Sequence, residues 1–178
     1  HSMFSTYCNV KKDGTVCSYC GCDSIEVIGR FMAEHVEIIN ATGELRRAVH
    51  ASDPNAVEHT KAKVAELLWP HTQAEEGGLF RVMARDEVFT DHIATLCGEH
   101  RSLDEWLSDV VPGDLAAMAR FEDALREHID KEDNGLFPAA AVSLGGDDWI
   151  EVHETTPHSH GPGEPLHTHA HGEHAHQH

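Results

Sequence analysis

Apolar residues recur every three to four positions over one long stretch of the chain, from about Ser24 to Ala141. That is the period of an amphipathic helix, and no segment alternates convincingly as a half-buried strand would. Asp23 and Ser24 are both good N-caps. Behind them Ile28, Phe31, Met32, Ile38, Ile39, Leu45 and Val49 form one stripe that ends near His50. Asp53-Pro54 pairs an N-cap with a proline in the first helical position. It opens a second helix through Val57, Val64, Leu67 and Leu68 to Gly77-Gly78, with Pro70 expected to kink it. A third helix spans roughly Asp86 to Val110 on Phe89, Ile93, Leu96, Leu103 and Leu107. A fourth starts near Asp114 and carries Leu115, Met118, Phe121 and Leu125 to about Asn134. Long amphipathic helices on short links predict an all-α fold, an up-down antiparallel four-helix bundle over 24–141. An N-terminal segment (1–23) precedes it. A tail without apolar period (142–178) follows.

Composition changes this picture in one respect. With 178 residues and 40% hydrophobic content the chain can bury one core. Asp and Glu number 31 against 13 Lys and Arg, a formal net charge of -18. Such a chain repels phosphate backbones and anionic membranes, which excludes nucleic acid and membrane as expected partners. No apolar run has the length of a spanning helix and the first thirty residues hold no signal-peptide core, so the expected location is cytoplasmic. The unusual number is histidine, at 17. Nine follow residue 150: His153, and then the runs His158-Ser-His160, His167-Thr-His169-Ala-His171 and His174-Ala-His176-Gln-His178. Imidazoles at i, i+2 chelate Zn, Ni or Cu. Cys17, Cys20 and Cys22, with Cys8 upstream, offer a second place for such an ion, or redox-active thiols. Cys97 reads as a small core residue.

The remaining candidate chemistry lies inside the stripes. Each predicted helix points one histidine at the core: His35, His71, His100 and His128. Any one alone would read as a hydrogen-bonded core residue; four together read as a site. His92, two turns before His100, reads as a helix-shoulder residue. His71 and His128 each carry a glutamate four residues on, Glu75 and Glu132, on the same helix face. A carboxylate seldom accepts burial without a partner, and no Lys or Arg shares these stripes at that level. A cation supplies the missing charge. His35 and His71 fall at nearly the same height in the first hairpin. His100 and His128 match less well, by about one helical turn.

The chain also repeats itself. Residues 71–80 read HTQAEEGGLF and residues 128–137 read HIDKEDNGLF, both fitting H-x3-E-acid-x-G-L-F. Glu34-His35 and Glu99-His100 stand upstream of the two copies. Two equivalent helix pairs predict a pseudo-twofold site for two metal ions, each with His ligands, bridged by Glu75 and Glu132. Imidazole and carboxylate without thiolate favour Fe or Mn, with Zn as an option.

The order H…HxxxE…H…HxxxE on four helices, over about 24–140, resembles the hemerythrin-like (HHE cation-binding) family. The Cys-rich start is similar to that of bacterial members. The resemblance implies a non-haem diiron centre that binds or reacts with O2, peroxide or NO, supplied by an electron donor not identifiable from the sequence. It implies the ligand set His35, His71, Glu75, His100, His128 and Glu132. The chain departs from the oxygen carriers in two places. They have His-x3-His on the third helix, where this chain has Leu96 four before His100. They have Asp five after the last His, where this chain offers both Glu132 and Asp133. One ligand fewer favours reactive chemistry over reversible O2 storage. Glu76, Asp133 and Tyr19 are the candidates for a seventh ligand. The alternative function is metal storage, buffering or delivery without redox chemistry.

Overall fold

The computed structural model describes residues 22–158, with side chains from 26 onward. Within them the protein is all-helical, with no strand. Helix α1 is Cys22–His50. Helix α2 is Pro54–Glu75, and runs on through a wider π-type turn, Glu76–Phe80, into Arg81–Met83. Helix α3 is Glu87–Ser108. Helix α4 is Leu115–Lys131, which continues the same way through Glu132–Leu136 into Phe137–Ser143. Helix α5 is Gly146–Thr155. Three starts follow the expected chemistry: the Asp53, Asp86 and Asp114 carboxylates accept from the backbone N–H of Ala56, Val88 and Ala117 at 3.2, 3.0 and 3.0 Å.

Two expected helix ends move. The Gly77-Gly78 and Asn134-Gly135 stretches read as stops, yet both helices pass through them by adopting a π-type turn. The reason is phase. Phe80 stands nine residues after His71, and in an unbroken α-helix nine residues are about two and a half turns, which would put it on the opposite face. The wider turn brings Leu79 and Phe80, and likewise Leu136 and Phe137, back to the interior, where all four are at most 1% exposed. Helix α2 also runs through Pro70 without a break. The tail expected from 142 starts with α5, whose Trp149 and Val152 are buried against α1 and the end of α2. Residues 159–178, and the Cys8, Cys17, Tyr19 and Cys20 positions, lie outside the described residues.

Helices α1–α4 pack around two apolar clusters. One holds Ile38, Leu45, Val49, Val64, Leu68, Leu103, Met118, Phe121 and Leu125. The other holds Val27, Phe31, Leu79, Phe80, Ile93, Leu96, Leu136, Phe137 and Trp149. Between them lies a layer of buried polar side chains.

Candidate metal centre

That layer is made of the six inward residues. His35 comes from α1, His71 and Glu75 from α2, His100 from α3, and His128 and Glu132 from the α4 rod. The four histidines are 2–4% exposed and both glutamates 0%. The height mismatch of the second hairpin is taken up by the link 109–114, where Val110 is buried and Gly113, at φ 77, donates its N–H to Val49. His100 and His128 therefore meet with ring centroids 4.7 Å apart, as His35 and His71 do at 4.6 Å.

Two ligand-like groups result: His35, His71 and Glu75; and Glu75, His100, His128 and Glu132, the ligand atoms within each lying inside 4.8 Å of one another. Glu75 belongs to both. Its Oε1 lies 2.9 Å from His71 Nε2 and its Oε2 3.2 Å from His100 Nε2. Glu132 touches His128 Nε2 and comes within 3.9 Å of His35 Nε2. Both carboxylates thus reach across the pseudo-twofold axis.

The outer face of every ring is fixed in the same way. His35 Nδ1–H donates to Asp133 at 2.8 Å, His71 to Glu34 at 2.7 Å, His100 to Glu76 at 2.8 Å and His128 to Glu99 at 2.9 Å. Carboxylates on Nδ1 set the tautomer and turn each Nε2 inward. A neutral ring so held has only a lone pair to offer at Nε2. His100 and His128 face one another there at 3.0 Å. His35 Nε2, His71 Nε2 and all four oxygens of Glu75 and Glu132 have no hydrogen-bond partner. Lone pairs and carboxylates converging without a donor are held together by cations or by extra protons. In the metal-free chain protons do it. Burial alone would lower the His71 pKa, but Glu75 and Glu34 outweigh it and raise it to about 10. His128 is raised to about 9 against the same burial effect, chiefly by Glu132. Burial, and then the charge of Glu75, push Glu132 up to about 7. Burial acts the same way on Glu75, but the surrounding histidines hold it well below the usual range. The donor set, two carboxylates and four imidazoles pre-oriented by outer carboxylates, fits a pair of divalent first-row ions.

Residues outside the six take places around the centre. Glu76 and Asp133, offered as a seventh ligand, point at His100 and His35 Nδ1 instead of into the centre. Phe80 and Phe137 stack on those same two rings, at 5.5 Å and 5.9 Å between centroids. The repeat is thereby explained: each copy supplies one inward His and Glu, then an acid and a Phe that clamp the first His of the opposite pair. Glu34 and Glu99 do the same for the second His. His92 is exposed and takes no part. Cys97 is half-buried, its thiol pushed up to about 11 by burial and by Glu76.

Among the described residues, no helix is long and apolar enough to cross a membrane. No curated protein and no solved structure matches the chain. A family model does, the hemerythrin HHE cation-binding domain, over residues 26–140. With the match covering most of the chain and a buried His/Glu cluster able to hold metal, this protein belongs to the hemerythrin HHE cation-binding family.

Proposed function

We propose that this is a non-haem diiron protein that binds or reacts with O2, peroxide or NO. His35, His71, Glu75, His100, His128 and Glu132 would be the metal ligands in an antiparallel four-helix bundle. The observation that carries the reading is the set of inward Nε2 lone pairs, each backed by a carboxylate on Nδ1 and converging on two carboxylates that no donor satisfies. A pair of iron ions so held supplies the redox chemistry towards these small molecules, with Mn or Zn as the other ions the donors accept.

The chain's own residues do the rest. Four outer carboxylates hold the rings in place and keep their protons on Nδ1. Phe31, Phe80 and Phe137 wall the centre on one side. Ile38, Leu68, Leu125 and Ile129 line a narrow seam against His35, His71 and His128 on the other. Apolar walls on both sides exclude bulk water and anions and suit an uncharged diatomic or peroxide. With six inward ligands for two ions, open positions remain for such a molecule, and a redox reaction calls for an electron donor. The acidic surface leaves nucleic acid out as a partner.

The rival reading is storage or delivery of cations without redox chemistry, favoured by the histidine-rich C-terminus. Optical spectroscopy on protein from its own host separates the two. Near-ultraviolet absorption that changes on adding peroxide or O2 supports the diiron reading. A colourless protein that holds zinc and stays unchanged supports storage.

A further inference from the structure

The four outer carboxylates are not held alike. Glu34 uses both oxygens: Oε2 accepts from His71 Nδ1 at 2.7 Å and Oε1 from Arg30 Nε at 2.8 Å. Glu99 does the same, Oε2 accepting from His128 Nδ1 at 2.9 Å and Oε1 from Lys131 Nζ. Among the described residues, neither Glu76 nor Asp133 pairs with a lysine or arginine. The rings divide along the same line. His100 and His35, on the two carboxylates without a cation, carry Phe80 and Phe137 stacked on them at 14° and 12°. His71 meets Phe31 only edge-on, at 89° and 5.7 Å, and the aromatic neighbour of His128 is His100.

The two cations reach their carboxylates by different routes. Arg30 stands four residues before Glu34 on α1, a contact within one helix. The same position in the second copy, four before Glu99, is Thr95, which holds no charge. There the cation is Lys131 of α4, reaching across to α3. Its counterpart in the first copy, three after His71, is Ala74, which is buried. The repeat therefore dictates a cation at neither carboxylate, yet one is present at both. Arg30 is fixed further: its Nη1 donates to the Pro157 carbonyl at 2.8 Å, and its guanidinium lies over the Phe31 ring at 5.7 Å.

We propose that Arg30 and Lys131 are positioning residues of the metal centre, which lock through Glu34 and Glu99 the two histidine rings that no phenylalanine stacks on. This role rests on the metal-centre reading above and deepens it. Each half of the centre then has one ring held by an acid and a stacked Phe, and one held by an acid and a cation. Glu34 and Glu99 are both partly exposed. Bonded to the ring through one oxygen alone, such a carboxylate can swing out to water. Bonded at the second oxygen as well, it stays on Nδ1 and keeps Nε2 inward. A partly exposed ion pair of this kind shifts that equilibrium about two- to fivefold.

The test reads the rings themselves. In the full-length chain loaded with zinc, which is diamagnetic, nuclear magnetic resonance follows the exchange of each ring Nδ1–H with solvent. The four buried rings are expected to exchange slowly. Arg30→Gln should speed exchange at His71 about two- to fivefold and leave His35, His100 and His128 unchanged. Lys131→Gln should do the same at His128 alone. Arg30→Lys and Lys131→Arg, which keep the charge, should bring the rates back towards those of the unaltered chain. A general loosening of the fold would move all four signals together, and that result overturns the proposal. So does a charge-keeping variant that exchanges as fast as its glutamine counterpart. A ring whose rate stays unchanged in its glutamine variant overturns the proposal for that ring. An unaltered chain that takes up no zinc and shows no slow ring signal overturns the metal-centre reading, and the positioning role with it.

Discussion

Each inward histidine is controlled by a residue that never enters the centre. Glu76 illustrates the point: it is about one-third exposed, yet it holds His100 Nδ1 at 2.8 Å. Replacing Glu76 or Asp133 with the neutral amide should leave the helices intact and weaken metal affinity about 10- to 100-fold. Competition against a chelator of known affinity measures this, and unchanged affinity would mean that the rings do not depend on their outer carboxylates. Proton chemistry gives a second residue-scale prediction. In the metal-free protein His71 and His128 have pKa values of about 10 and about 9, above the 6.5 of the unfolded chain. Their charged forms favour the fold fully below pH 6.5, and that contribution fades as pH rises through 9 to 10. Glu132, raised from 4.5 to about 7, acts in the same sense at lower pH. The melting temperature of metal-free protein should therefore fall between pH 6.5 and 10, while the metal-loaded protein shows no such fall. Binding near pH 7 should release the protons of His71 and His128, seen as a calorimetric enthalpy that varies with the buffer's ionisation heat.

At the scale of elements, the two π-type turns are equivalent in sequence and unequal in surroundings. Gly78 is covered by the end of α5, and an added methyl would meet Thr156 Oγ1 at 2.1 Å. Gly135, the same position in the second copy, has nothing within 4 Å. Gly78→Ala should displace the end of α5 and destabilise the protein by about 1–3 kcal/mol. Gly135→Ala should stabilise it by up to about 1 kcal/mol, because alanine is the better helix former. Thermal denaturation of the pair checks both, and equal losses would contradict the asymmetry. These turns also mark what was hidden in the sequence. The stripes located α1 to α4 and placed His35, His71, His100 and His128 inside, because burial and helix phase leave a periodic trace. A π-type turn leaves none: Gly77-Gly78 and Asn134-Gly135 look like helix stops unless Leu79, Phe80, Leu136 and Phe137 are known to face inward. Helix α5 shows only Trp149, Ile150 and Val152 among Asp147, Asp148, Glu151 and Glu154, too little for a stripe. Glu34, Glu76, Glu99 and Asp133 resemble solvent-facing acids. Their signal was the repeat, which puts an acid before the first histidine and another after the inward glutamate of each copy.

For the whole molecule, the polar layer is both the reason for the fold's internal symmetry and its weak point. Two fully buried carboxylates lie between two apolar clusters, and without positive charge they would repel each other at several kcal/mol. A metal ion at a thousand times its dissociation constant adds about 4 kcal/mol to stability. For a chain of this size that corresponds to a rise of roughly 8–16 °C in melting temperature per ion. Stripping the metal should lower the melting temperature by at least that amount, as read by circular dichroism. A shift of a degree or less would mean that cations do not hold the layer together. The most direct measurement of the central claim is the metal content of two chains purified from their own host. The first carries only His167→Gln, His169→Gln, His171→Gln, His174→Gln, His176→Gln and His178→Gln, so that ions held by the histidine-rich C-terminus are not counted; the second adds His71→Ala and Glu75→Ala. The account predicts two ions per chain in the first and loss of both in the second. Equal metal in the two chains, or none in the first, would contradict it.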